Sequence, residues 1–136
     1  MKIWFGYGSE HSANLVMVGE FRDAGGAEKA KQVIDDLMSQ VEKDSEAGVL
    51  EIGGHSDRYS DGMLDLLQKV HVHDVRPDEL EQLGYEFSVT TDGAKLVLTT
   101  DESDVSAFLK IMVGKGARVE VYSAHRFPDT KYGRGK

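Results

Sequence analysis

The dipeptide Asp92-Gly93 constrains the fold of this chain more than any other feature. The residues from Phe87 alternate between apolar and polar before it, and the strand-like run Lys95–Thr99 follows it. Asp-Gly between two such runs is a strong short-range signal for a β-hairpin, because glycine adopts the positive φ that tight turns require. Residues 87–99 are therefore predicted to form an antiparallel hairpin.

A helix and a final strand are predicted after the hairpin. Phe108 and Met112 fall at helical spacing, and either Asp101 or Ser103 is expected to cap that helix at its N-terminus. The run Arg118–Ser123 then alternates with the period of a strand, with its valines on one face.

The first half of the chain supplies a strand and a long helix. Asn14–Phe21 is an almost continuous apolar run, which is typical of a central strand buried on both faces. Asp23 and the pair Gly25-Gly26 are expected to precede a helix that begins near Ala27. Its apolar stripe is expected to lie on the sheet and consists of Ala30, Val33, Ile34, Leu37, Met38 and Val41.

The order of these elements predicts an α+β fold, specifically a ferredoxin-like antiparallel sheet with helices on one face. Lys2–Tyr7 is predicted to add an N-terminal edge strand, and two short helices within residues 53–84 form an inserted segment outside the sheet. Residues 1–125 are interpreted as a single domain, and residues 126–136 as a basic C-terminal tail.

Composition narrows the classes of function. The chain has no cysteine, which excludes disulfides and thiolate chemistry, and its net charge of −8 disfavours binding to nucleic-acid phosphates. The short apolar stretch at the N-terminus predicts neither a signal peptide nor a membrane span. A cytoplasmic protein is therefore expected.

Histidines are the best candidates for chemistry. His71 and His73 would project from one face of an extended segment, which suits two ligands of one divalent metal ion, and no other cofactor is predicted. An exposed histidine pair without a metal is the alternative. Two polar segments supply a candidate pocket for a base or an anion: Glu10 and His11 near the N-terminus, and His125 and Arg126 after the last strand.

The N-terminal third, from Lys2-Ile3-Trp4-Phe5-Gly6-Tyr7-Gly8 through Asn14-Leu15-Val16-Met17-Val18-Gly19, resembles a family of small bacterial proteins of unknown function. The resemblance covers this third of the chain and implies no activity for any residue.

Two functional hypotheses follow from the sequence. The first is a protein-binding or regulatory module that acts through its sheet face or its acidic surface, with a protein partner or as a homodimer. The alternative is an enzyme that binds a small molecule or a metal in a histidine-lined pocket. No nucleic-acid partner and no membrane association are expected.

Overall fold

A computed structural model describes residues 13–50 and 58–123 of the chain. These residues form an α+β structure, as predicted. Its elements, in chain order, are β1 (Leu15–Glu20), α1 (Ala24–Glu46), α2 (Asp61–Lys69), a 3-10 helix (Pro77–Gly84), β2 (Phe87–Asp92), β3 (Lys95–Thr100), α3 (Ser106–Gly114) and β4 (Arg118–Ser123).

The sheet has the strand order β2-β3-β1-β4, and every neighbouring pair is antiparallel. β1 is central among these four strands, and its residues Val16, Met17 and Val18 are buried, as the continuous apolar run predicts. β3 lies between β1 and β2, and β1 lies between β3 and β4, which is compatible with the predicted ferredoxin-like arrangement. The edge strand predicted at Lys2–Tyr7 lies outside the described residues.

The predicted hairpin is present, with a turn shifted by one residue. Asp92 pairs with Lys95, so the two-residue loop is Gly93-Ala94 rather than Asp92-Gly93. Gly93 has a φ of 62°, and glycine at the first loop position is typical of a type II′ turn. This turn places Phe87 and Val89 on the helix side of the sheet, where both pack against the main core.

The main core lies between the sheet and the helices. α1 packs on β2 and β3, while α3 packs on β4. Phe108 of α3 is 1% exposed and meets Phe87 edge to face at 4.8 Å between ring centroids. Full burial of one such side chain stabilises the fold by about 1.5–3 kcal/mol. This contact joins the hairpin to the helix that follows it.

α1 begins earlier than its hydrophobic pattern predicts. Asp23 caps it, and its side-chain oxygen accepts a hydrogen bond of 2.9 Å from the Gly26 amide, so both glycines lie inside the first turn. A Cβ on Gly26 would stand 3.1 Å from the Cβ of Phe21, which explains a small residue there. The prediction that Met38 packs on the sheet is wrong, because Met38 is 38% exposed.

The described part of the inserted segment, residues 58–84, lies outside the sheet, as predicted. α2 is fastened to α1 by Ser60, which donates a 2.7 Å hydrogen bond to Asp44 and accepts one of 2.9 Å from the Met63 amide. Ser60 is therefore both the N-cap of α2 and its link to α1.

The predicted cap of α3 is wrong. Its N-cap is Val105, which makes no side-chain capping bond. The Ala107 amide instead donates a hydrogen bond of 2.7 Å to the side-chain oxygen of Gln82, which belongs to the 3-10 helix. A distant residue thus satisfies an amide that a local Asp101 or Ser103 was expected to satisfy.

Candidate functional site

The predicted histidine pair is close in space but is not extended. His71 has a left-handed φ of 57°, and its ring lies 6.2 Å from that of His73 between centroids, nearly perpendicular to it. Both residues are exposed. Within residues 13–50 and 58–123, no group of three His, Asp or Glu side chains is placed to hold a metal ion. A metal at this pair therefore stays a prediction.

The other predicted site residues cannot be placed. Glu10, His11, His125 and Arg126 lie outside the described residues, so their convergence in one pocket also stays a prediction.

A groove runs between α1 and the end of the 3-10 helix. It has a volume of about 300 Å³ and is lined by Met38, Val41, Glu42, Ser45, Glu46, Leu83, Gly84 and Tyr85. The five residues from α1 recur at helical spacing and so form one wall, while the three consecutive residues form the other. We call this concavity the acidic groove.

The acidic groove has an apolar floor and an exposed apolar rim. Val41 and Leu83 are buried, whereas Met38 is among the exposed large hydrophobic residues. Ligand sites commonly combine an apolar lining with a few polar groups, and the smallest of them have volumes of about 300 Å³. The groove is therefore of a size to take one or two side chains rather than a large cofactor.

Among the residues that the structure describes, every charged residue that lines the groove is a carboxylate. Glu42 and Glu46 are exposed and lie one helical turn apart on α1. Within the described part of the chain, neither forms an ion pair. The charged groups that these residues contribute to the groove are therefore both negative.

Tyr85 lies on the second wall of the groove, and several carboxylates lie near its hydroxyl group. Burial raises the pKa of the Tyr85 hydroxyl, and the carboxylates of Glu81, Asp104 and Glu102 and a hydrogen bond with Glu81 raise it further. Tyr85 is half-buried and remains a neutral phenol at physiological pH. The groove thus offers a neutral aromatic side chain close to several negative charges.

The 3-10 helix that supplies the second wall is held firmly on its other side. Glu79 Oε1 accepts hydrogen bonds from Lys110 Nζ at 2.7 Å and from the Arg76 amide at 2.8 Å, and Glu79 Oε2 accepts one from Ser106 Oγ at 2.5 Å. The Gln82 side-chain nitrogen donates to Ser106 Oγ at 3.0 Å. We call these four side chains the buried network: Glu79 and Gln82 are buried, and Ser106 and Lys110, which bond to them, are half-buried.

The charge state of Glu79 follows from these contacts. Burial by itself raises the pKa of Glu79, but hydrogen bonds from Lys110, Ser106 and the Arg76 amide outweigh it, so the pKa lies below its usual value. The lowered pKa makes Glu79 a weak base, so its hydrogen bond from Ser106 does little to activate that hydroxyl as a nucleophile. The buried network positions the 3-10 helix against α3.

A larger concavity, of about 360 Å³, lies at one end of β2 and β3 and is mainly polar. Its hydroxyl groups are bonded within the protein: Thr100 donates to the Glu86 carbonyl at 3.1 Å, and Ser88 and Thr99 share a hydrogen bond. Since these hydroxyl groups already have partners and the lining is mainly polar, the acidic groove is the better candidate site.

Sequence reasoning did not find the acidic groove. Its α1 wall joins residues of the apolar stripe to acidic ones, and its second wall comes from a segment almost 40 positions later in the chain, where Leu83 to Tyr85 lie. The signal in the sequence that could have indicated the groove was Met38, an apolar residue at the edge of the apolar stripe of α1. The sequence alone does not show which edge of this apolar stripe stays exposed after a later segment of the chain packs on the helix.

The chain belongs to a family of unknown function, DUF6375, whose model matches residues 1–134. The resemblance seen in the N-terminal third therefore extends over essentially the whole chain. Comparison with curated proteins and with solved structures gives no match. None of the helices in the described residues is long and apolar enough to cross a bilayer.

Proposed function

We propose that this member of DUF6375 is a protein-binding module that recognises a basic region of another protein through the acidic groove. The observation that carries the proposal is the combination of an apolar floor with walls whose charged residues are all carboxylates. Apolar contact supplies affinity at such a site, and the carboxylates favour basic partners over acidic ones.

The charge of the whole molecule supports the same type of partner. The net charge is −8, with 24 acidic and 16 basic residues. A long-range negative field accelerates the encounter with a positively charged surface, and salt weakens this effect. Binding is therefore expected to weaken as ionic strength rises.

Affinity capture from the native organism, followed by mass spectrometry, tests the proposal. The informative variant is Glu42→Lys with Glu46→Lys, which reverses the charge of one wall. The matched control is Glu28→Lys with Asp65→Lys, which changes the net charge equally at exposed helical positions outside the groove. We expect a stoichiometric partner with the wild type and the control, and its loss with the groove variant. Equal capture by both variants would refute the proposal.

We also propose that the protein forms a homodimer, through α3 and β4. The sheet face opposite the helices is a weaker candidate than the sequence suggests, since its central residues Val16, Val18 and Val97 are buried. Three exposed apolar side chains, Leu109, Val113 and Val121, lie on α3 and the neighbouring strand β4. Sedimentation equilibrium is expected to give a dimer that Leu109→Ser with Val113→Ser dissociates, and a monomeric wild type would contradict this.

The enzyme alternative rests on one observation, the proximity of the His71 and His73 rings. Two imidazoles supply two ligands, and a metal site needs at least one more. Titration of untagged protein with Zn²⁺, monitored by histidine NMR signals, is the test. Stoichiometric binding that His73→Ala abolishes would support a metal site, and unchanged imidazole signals would exclude it.

A further inference from the structure

We propose that the acidic groove is specific for an arginine side chain two positions along the chain from an apolar residue of the partner, with the guanidinium between Tyr85 and the carboxylates of Glu42 and Glu46. This inference rests on the proposed function and names the chemistry that the groove recognises. It follows from the size of the groove, its aromatic residue and the spacing of its charges.

The dimensions of the groove fit a short segment. Its α1 wall extends from Met38 to Glu46, a span of eight helical rises, which corresponds to about 12 Å along a helix axis. An extended peptide covers that length with about four residues, of which alternate side chains point toward the same surface. Two side chains of the partner therefore enter the groove, which agrees with its volume of about 300 Å³.

The floor and the rim favour an apolar side chain of the partner and the methylene groups of its arginine. Val41 and Leu83 form a buried floor, and Met38 is exposed beside them. A methionine adapts its shape to different apolar groups, and a long basic side chain buries its methylene groups on such a surface while its charged head stays near water.

The charged groups favour arginine over lysine. Guanidinium is planar, stacks on aromatic rings and makes several hydrogen bonds in fixed directions, whereas ammonium is compact and more strongly hydrated. Tyr85 supplies the ring, and Glu42 and Glu46, one turn apart, supply two carboxylates. Since neither glutamate is ion-paired within the described residues, no ion pair among those residues has to break when a cation binds.

Peptide titrations followed by amide NMR shifts of ¹⁵N-labelled full-length protein test this inference. The probes are acetyl-Leu-Ala-Arg-amide, the same peptide with lysine in place of arginine, and the same peptide with citrulline, which keeps the shape of arginine without its charge. We expect changes in the amide shifts of Leu83 to Tyr85. The dissociation constant of the lysine peptide is expected to be about two- to fivefold higher than that of the arginine peptide, which corresponds to the free energy of a guanidinium on an exposed aromatic ring. The citrulline peptide is expected to be the weakest.

Variants separate the contributions of ring and charge. Glu42→Gln with Glu46→Gln is expected to bring arginine binding down to the citrulline level, while Glu28→Gln with Asp65→Asn leaves it unchanged. Tyr85→Leu is expected to remove the preference for arginine over lysine, and Tyr85→Phe to keep it. If Tyr85→Leu does not fold, the variant Glu42→Gln with Glu46→Gln and the variant Tyr85→Phe still test the inference.

Three results would overturn the inference: equal binding of the arginine and citrulline peptides, equal binding of the arginine and lysine peptides, or shifts confined to residues outside the groove. If one of these is found while Glu42→Lys with Glu46→Lys still abolishes capture of the protein partner, the proposed function stands and the arginine specificity is wrong.

Discussion

The two sides of the 3-10 helix use carboxylates in opposite ways. Toward α3, Glu79 is 8% exposed and its carboxylate accepts from an ammonium group, a hydroxyl and a backbone amide. Toward α1, Glu42 and Glu46 are exposed and form no ion pair within the described residues. Carboxylates of the first kind stabilise the fold, whereas those of the second kind are the ones that the proposed function assigns to a partner.

This contrast predicts the largest stability effect at Glu79. Glu79→Gln removes the charge that compensates Lys110 and weakens two further hydrogen bonds, so we expect a loss of about 2–3 kcal/mol in the free energy of unfolding. Urea denaturation measures it. The matched control, Glu86→Gln, changes an exposed carboxylate and is expected to stay within about 0.5 kcal/mol. Equal effects would mean that the buried network adds nothing.

Glu79 should also affect how the free energy of unfolding depends on pH. The pKa of Glu79 is lower in the folded state than in the unfolded chain, where it is about 4.3. Its contribution to stability is therefore complete above that value and is lost as the pH falls through the lower folded pKa. The difference in unfolding free energy between wild type and Glu79→Gln should shrink below about pH 4. A constant difference down to pH 2.5 would contradict the assignment.

A smaller effect is expected at Gln82, which satisfies the Ala107 amide at the start of α3 and donates to Ser106. Gln82→Ala should cost about 1–2 kcal/mol, the usual range for a lost cap or an unsatisfied buried group. Gln32→Ala is the matched control, because Gln32 bonds Asp36 on the exposed surface of α1. We expect less than about 0.5 kcal/mol there by thermal unfolding. A Gln82→Ala loss no larger than that of Gln32→Ala would show that α3 needs no cap from the 3-10 helix.

Local sequence signals predicted most of the fold, and their failures have physical causes. The hairpin, the central strand, α1 and β4 follow from turn chemistry and hydrophobic period, which depend on neighbours in the chain. The cap of α3 was missed because Gln82 lies 25 residues before the amide that it satisfies. The exposure of Met38 was missed for the same type of reason, since it depends on where the 3-10 helix ends.

The candidate site was harder to predict than the fold. Proximity of His71 and His73 follows from their spacing, although the left-handed φ of His71 does not. The acidic groove depends on packing between two segments that are distant in sequence, and neither segment carries a motif. Tertiary contact, rather than residue type, brings Tyr85 next to Glu42 and Glu46.

One paired measurement tests the central comparison most directly: partner capture and the urea unfolding midpoint for the Glu42→Lys, Glu46→Lys variant and for Glu79→Gln. The account predicts that the groove variant loses its partner but keeps its stability to within about 0.5 kcal/mol. It also predicts that Glu79→Gln is less stable but still captures the partner while folded. Retained capture by the groove variant, or a loss of stability in it as large as that of Glu79→Gln, would contradict the account.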